Sequence, residues 1–104
     1  MSIIKHILGE ELERLEKLLE KYRQEIDRLP KGSLAKKQRY GNNYIYLAYR
    51  DGKKVIFKYI GKESSDAVKD IKVLRKKRLK YLDLQRKIKE DISEIKRAIF
   101  GRRR

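Results

Sequence analysis

Apolar residues recur at alternating steps of four and three along the opening 30 residues of the chain. The positions are Leu8, Leu12, Leu15, Leu19, Tyr22, Ile26 and Leu29. This spacing predicts an amphipathic helix with a narrow heptad seam over residues 1–30. Pro30 and Gly32 should end it, and Glu10, Glu11 and Glu13 are expected in its first turn, where carboxylates favour the helix dipole. The preceding SIIKHIL either extends the helix or forms a loose apolar arm.

Residues 44–62 change to the two-residue alternation that is typical of strands. β-branched and aromatic runs flank Asp51-Gly52, a strong hairpin signal. A loop formed by these two residues would pair Tyr46 with Phe57 and Tyr44 with Tyr59. One side of the ribbon is then aromatic, and the other carries aliphatic side chains. A lysine-rich edge strand, Ser33 to Tyr40, is expected to precede the hairpin through a Gly41-Asn42-Asn43 turn.

The remaining chain predicts one long helix over residues 64–100, capped by Ser64 or Ser65. Its predicted seam contains Val68, Ile71, Leu74, Tyr81, Ile88, Ile92, Ile95 and Ile99, interrupted by Arg78 and Gln85. The first helix, laid antiparallel, is the expected partner of this seam, with a second copy of the chain as the alternative. The predicted fold is therefore α+β: an N-terminal helix, a short antiparallel β-meander of two to three strands at residues 33–61, and a long C-terminal helix packed antiparallel on the first. We expect a single domain over residues 1–104, with a basic tail at residues 101–104.

Charge is distributed unevenly along this pattern. The 104 residues hold 30 Lys and Arg against 15 Asp and Glu, a net charge of +15. Residues 1–30 have a net charge of −1, whereas residues 31–62 and 63–104 each have +8. An excess of this size suggests a polyanionic partner, because self-repulsion opposes folding of the isolated chain.

Composition also narrows the classes of function. There is no cysteine, which fits a reducing cytoplasm and excludes disulfides and thiolate chemistry. No apolar run approaches the ~20 residues of a membrane span, and SIIKHIL lacks a signal-peptide pattern, so we expect a cytoplasmic protein. His6 is the only histidine, so neither a histidine-based triad nor a metal cluster can be assembled. We therefore expect no enzyme, no cofactor, no metal site and no small-molecule substrate, with acid-only nuclease chemistry as the one catalytic alternative.

A basic run in the second helix is the first candidate for nucleic-acid contact. Lys72, Arg75, Lys76 and Lys80 would share one side, with Arg78 beside it. No acidic residue occurs between Asp70 and Asp83, although a merely solvated helix face usually mixes both signs. Phosphate contact is therefore preferred over a solvated face.

The predicted sheet is the second candidate. Rings could stack on bases while lysines and arginines hold phosphates. The competing interpretation, which the sequence favours, buries the aromatic side under a helix. Tyrosines with half-buried rings and solvent-exposed hydroxyls would be compatible with both interpretations. The candidate contact residues of the sheet are Lys36, Lys37, Arg39, Tyr44, Tyr46, Arg50, Lys53, Lys54 and Lys58.

The segment Leu29 to Lys62 resembles a small domain of unknown function found in archaeal, bacterial and mobile-element proteins. The resemblance rests on the Leu-Pro start, the tyrosine-rich strand Tyr44-Ile45-Tyr46-Leu47, the Arg50-Asp51-Gly52 turn and the closing Tyr59-Ile60-Gly61-Lys62. Similar modules precede transposase or recombinase domains, which implies DNA binding by the sheet. Many relatives carry a cysteine-rich insertion between the first two strands. This chain has RYGNN there, so the metal binding of those relatives does not carry over.

We therefore expect a nucleic-acid-binding protein that acts mainly through electrostatic contacts and favours duplex DNA over RNA. The alternatives are a coiled-coil protein–protein interaction module, or a small mobile-element regulator or inhibitor with an acidic protein partner. A homodimer formed through the helical seams is a further possibility, and no membrane association is expected.

Overall fold

The computed structural model describes residues 2–101, and the expected basic tail falls mostly outside these residues. The elements in chain order are helix α1 (Ile3–Asp27), strands β1 (Ser33–Arg39), β2 (Asn42–Asp51) and β3 (Lys54–Lys62), and helix α2 (Asp66–Phe100). The strands form one antiparallel sheet in the order β1-β2-β3. The predicted α+β fold, including the third strand, is confirmed.

Helix α1 begins earlier than its glutamates suggested. Ser2 caps it, with its Oγ accepting a hydrogen bond from the Lys5 N–H at 3.4 Å, so SIIKHIL is helical rather than a loose arm. The expectation that glutamates occupy the first turn was wrong, because that turn contains no acidic residue. Gly9 does not interrupt the helix, since its neighbours on both sides are good helix formers.

The chain separates into two compact units. The helical unit contains the residues up to Arg28 together with those from Leu79 onward, and the sheet unit contains Leu29–Arg78. In the helical unit Leu15, Ile88 and Ile92 form a buried cluster, while Tyr22 stacks on Tyr81 with ring centroids 5.4 Å apart. The residue numbers of the contacting side chains thus decrease along α2 as they increase along α1, from Leu15 with Ile88 to Tyr22 with Tyr81. This order confirms the antiparallel packing for the distal part of α2.

The first turns of α2 belong instead to the sheet unit. Ser65 caps the helix, accepting from the Val68 N–H at 3.4 Å, and Val68 is fully buried. A Cβ on Gly61 would lie 3.9 Å from Val68, and Gly61 pairs with Ile45. Because paired residues share a side of the sheet, the first turns of α2, up to Arg78, lie on the side of Ile45 and Leu47, the buried residues of β2.

The seam prediction for α2 failed at Leu74, which is exposed. In the sheet unit the inward positions are Val68, Ile71, Arg75 and Arg78. These positions recur at steps of three, four and three, so Arg75 rather than Leu74 continues the heptad seam that begins at Val68 and Ile71. The Arg75 Nε donates a hydrogen bond to the Gly32 carbonyl at 3.1 Å, which ties α2 to the start of β1.

Both turns of the sheet differ by a residue or two from their predicted positions. The β1–β2 turn is Tyr40-Gly41, with φ of 50° and 78°, rather than Gly41-Asn42-Asn43. The β2–β3 loop is Gly52-Lys53, because a glycine with φ of 62° occupies the first loop position, as in a type II′ hairpin. Tyr46 therefore faces Tyr59 and Ala48 faces Phe57. The register moved by two residues between Tyr46 and Tyr59, so the side chains of that stretch kept their predicted sides.

Candidate nucleic-acid interface

The side of the sheet opposite α2 carries the aromatic rings. We call this side the aromatic face and define its ring and apolar members as Tyr44, Tyr46, Val55, Phe57 and Tyr59. They share a side because Tyr46 pairs with Tyr59, and Val55 and Phe57 alternate with Tyr59 along β3. The pattern of alternation in the sequence predicted this grouping correctly.

The aromatic face is open to solvent over its β3 half. Phe57 and Tyr59 are each 53% exposed, and Tyr44 and Tyr46 are half-buried. The expectation that a helix covers this face was therefore wrong, since the aliphatic side provides the buried contacts to α2. Phe57 has no polar group, so its exposed ring has no hydrogen bond with water to offset the cost of its hydration.

The rings contact one another without stacking face to face. Tyr46 and Tyr59 meet edge-on, with centroids 5.3 Å apart and planes at 61°, and Tyr44 is tilted by 47° against Tyr59 at 6.4 Å. Arg39 and Tyr40 join Tyr44, Tyr46 and Tyr59 around an open depression at this end of the face. The arrangement is a continuous aromatic surface with a cation at its margin.

Lys37 lies directly over this surface. Its Nζ is 4.9 Å from the centroid of the Tyr46 ring and 5.5 Å from that of Phe57. Cation–π attraction holds the ammonium there, and at an exposed site it contributes about 0.5–1 kcal/mol. The charge is thereby fixed near the middle of the face, and no carboxylate in residues 2–101 forms an ion pair with it.

Four further cations surround the aromatic face. Arg39 lines the depression, Arg50 pairs with Val55, Lys53 stands in the β2–β3 loop, and Lys62 pairs with Tyr44. Within the described part of the chain none of them, nor Lys37, forms an ion pair. We refer to these five side chains as the face cations.

Lys62 was missed as a site residue, and a β-bulge explains why. The pairing shifts between Ile45 and Tyr46, which leaves Ile60 as an extra residue in β3. After the bulge Gly61 faces α2 and Lys62 faces the rings, the reverse of the simple alternation. Phe57 and Tyr59 were also absent from the candidate residues, although their alternation with Val55 was visible in the sequence.

Other predicted site residues lie on the α2 side of the sheet. Lys54 and Lys58 alternate with the face residues of β3, and Lys36 bonds to Glu63 with Nζ and Oε2 2.7 Å apart. That hydrogen bond is the main cause that holds the pKa of the Glu63 carboxyl below its usual range, and Lys72 adds to it. Lys36 is therefore already partnered, unlike the face cations.

The predicted contacts of α2 separate into two kinds. Lys72, Lys76 and Lys80 are exposed, one helical turn apart. Arg75 and Arg78 are half-buried: Arg75 bonds to Gly32, and the Nε of Arg78 is buried without a hydrogen-bond partner. The sheet and the proximal helix therefore do not form one basic surface, because the first turns of α2 pack on the side of the sheet opposite the aromatic face.

Three glutamates of α1 form ion pairs with arginines close to them in the chain. Glu11, Glu20 and Glu25 pair with Arg14, Arg23 and Arg28 at a spacing of three residues. The sheet unit contains fifteen basic residues against four acidic ones (Asp51, Glu63, Asp66 and Asp70), a net charge of +11. Most of the excess charge of the chain thus lies in this unit.

Two kinds of site are absent from the described residues. No group of three or more His, Cys, Asp or Glu side chains there could hold a metal ion. In residues 2–101, neither helix is sufficiently apolar over its length to span a bilayer.

Comparison with known proteins places the chain in a family. The model of the family described as "Domain of unknown function (DUF6788)" matches residues 8–70, which is more than half of the chain. The chain belongs to this family, and the match includes the whole Leu29–Lys62 segment. No curated protein matches the chain, and no solved structure does.

Proposed function

We propose that this DUF6788 protein binds nucleic acid on the aromatic face of its sheet. The observation that carries the proposal is the set of five face cations, none of which has a carboxylate partner in the described chain. Phosphates would supply the missing counter-charges, and their binding would release condensed counterions. Sheet-mediated DNA binding is also what the resemblance to mobile-element modules implies.

The helices of the same protein provide the contrast that supports this interpretation. In α1 and in distal α2, cations alternate with acids and form local pairs, such as Arg86 with Asp83 at 2.9 Å. A surface that serves only solubility is expected to look like this. The aromatic face has rings between its cations instead of carboxylates, which is the composition that nucleic-acid interfaces favour.

The proximal part of α2 has a secondary place in the proposal. Lys72 and Lys76 are exposed, but they lie on the far side of the sheet from the rings. A nucleic acid on the aromatic face would therefore gain from them through the long-range field more than through contact. Substituting them should weaken binding less than removing the same charge from the face.

Salt dependence of the affinity tests the proposal. The binding constant for a labelled oligonucleotide can be measured by fluorescence anisotropy from low to moderate salt. A plot of its logarithm against the logarithm of the salt concentration should have a slope of about −3.5 to −4.5 if five phosphates are neutralised. The variant Arg50→Ala/Lys53→Ala should flatten the slope by about 1.4 to 1.8 and weaken binding to every sequence.

A matched control removes the same charge from the helical unit. Lys17→Ala/Lys21→Ala deletes two exposed α1 lysines that form no ion pair in the described chain, and it should change the slope little. Equal effects of the two double variants would refute the localisation to the sheet. An affinity that does not respond to salt would refute the proposal itself.

The alternative partner is a protein with an acidic surface, which the same cations could bind. Pull-down before and after nuclease treatment separates the two ideas. Partners lost with the nucleic acid support the proposal, whereas an acidic protein that is retained by the wild type and lost with Arg50→Ala/Lys53→Ala supports the alternative.

A further inference from the structure

The aromatic face combines two features that a purely electrostatic site would not need. Its centre is apolar, with Phe57 and Tyr59 half-exposed, and its face cations stand mainly at the ends of the strands. We infer that this face binds unpaired bases, so that its ligand is single-stranded nucleic acid rather than a duplex. This inference rests on the proposed function and specifies its substrate class.

The state of the rings supports stacking on a ligand. None of the measured ring pairs on this face is parallel, with interplanar angles of 61° and 47°. Neighbouring rings therefore do not stack on these ring faces. In the helical unit, by contrast, Tyr22 stacks on Tyr81 at an interplanar angle of 28°. Flat unpaired bases can cover such faces regardless of sequence.

A duplex would make poorer use of the same surface. Its bases already stack on one another, and it presents charged phosphates and sugars outward. Phe57 and Val55 can form no hydrogen bond with these groups, so burying them against a duplex backbone would bring little gain. Unpaired bases would instead remove their apolar surface from water.

The positions of the face cations fit a single nucleic-acid strand that lies along β2. Arg39 and Lys62 lie near Tyr44, and Arg50 and Lys53 lie at the other end of the strand. Tyr44 and Arg50 are six residues apart in β2, which corresponds to about 20 Å. Phosphates at both ends could be held while intervening bases contact the rings, with Lys37 in the middle.

A second copy of the chain fits the face less well. Face-to-face pairing would bring two sets of face cations together with Asp51 as the only carboxylate of β2 and β3. Like charges opposed in an interface are costly. Nucleic acid covers the rings and neutralises the charge at the same time.

The test compares the affinities for single-stranded and duplex nucleic acid, in wild type and in variants that lack one ring, at a fixed salt concentration. A mixed-sequence oligonucleotide of about 12 residues and its duplex are titrated into wild type, Phe57→Leu and Tyr59→Leu. Single strands should bind at least ~10-fold more tightly than the duplex, and each ring variant should weaken them about 5- to 100-fold. The salt slope should stay unchanged in the ring variants, because no phosphate contact is lost.

The controls keep every outcome informative. Phe100→Leu alters a ring that is 63% exposed, against 53% for Phe57 and Tyr59, but lies in the helical unit, and it should leave affinity unchanged. Urea unfolding should show that Phe57→Leu and Tyr59→Leu remain folded, and Tyr59→Phe, which keeps the ring, should retain binding.

Tighter binding of the duplex, or ring variants that bind single strands like wild type, would overturn this inference and leave the proposed function standing. Failure to bind either form at low salt would overturn both.

Discussion

At the scale of single residues, Gly32 is the glycine at which the fold leaves the least space for a side chain. Its φ is 97°, and a Cβ there would overlap the carbonyl oxygen of Ala48. Gly32→Ala should lower the free energy of unfolding by about 2 kcal/mol or more, because both the backbone conformation and the close approach require glycine.

Gly52 provides the matched comparison for this prediction. It also has positive φ, 62°, but a Cβ there meets nothing within 4 Å. Gly52→Ala should cost only the conformational penalty of about 1–2 kcal/mol. Urea unfolding of both variants measures the difference, and equal losses would show that the contact with Ala48 is unimportant.

The Glu63 carboxylate gives a pH-dependent prediction. Lys36 lowers its pKa below the ordinary 4.5 in the folded protein, so the carboxylate contributes stability above that pH. The contribution should disappear as the pH falls through the lowered folded value. Glu63→Gln should therefore be less stable than wild type at pH 7, with a smaller difference at pH 3.

The matched control for Glu63→Gln is Glu94→Gln. Glu94 is exposed and forms no ion pair in the described chain. Its substitution should leave the stability difference from wild type flat between the two pH values. A Glu63→Gln difference that is as large at pH 3 as at pH 7 would mean that shape, rather than charge, is what the side chain contributes.

At the scale of elements, the helical unit depends on a small core. Leu15 is 5% exposed and packs with Ile88 and Ile92. Leu15→Ala should lower the free energy of unfolding by about 2–4 kcal/mol through lost burial and the cavity left behind. Leu79→Ala, at a residue that is 60% exposed, should change it by less than about 0.5 kcal/mol. Equal decreases in the free energy of unfolding for the two variants would show that Leu15 is not part of the stabilising core.

Periodicity predicted the elements better than their junctions. Alternation in β2 and β3 assigned the side chains between Tyr46 and Tyr59 to the correct faces, and this assignment survived a register error because the error was two residues. The Ile60 bulge reversed Lys62 and Gly61, since a single extra residue inverts all that follows it. No pattern in the sequence marks where such a residue will be inserted.

The second helix shows the same limit over a longer range. Its continuous pattern predicted one element correctly, but not that the element serves two units with different partners. Arg75 looked like a surface cation because sequence alone does not reveal that the Gly32 carbonyl needs a donor. The exposure of the aromatic face was likewise unpredictable, because it depends on which side of the sheet α2 covers.

At the scale of the whole molecule, charge and fold divide along the same line. The helical unit pairs many of its charges locally, whereas the sheet unit has a net charge of +11 and few ion pairs. Repulsion within the sheet unit opposes its folding, and a bound polyanion would relieve it. This uncompensated charge beside exposed rings is the central claim of the account.

The most direct test of that claim is an NMR titration of the labelled protein with a short single-stranded oligonucleotide at low salt. We expect the resonances of Lys37, Tyr44, Tyr46, Phe57 and Tyr59 to shift together and to saturate at one stoichiometry, while those of Lys17 and Lys21 in α1 do not change. Shifts confined to the exposed lysines of α2 or to α1, with the ring resonances unmoved, would contradict it.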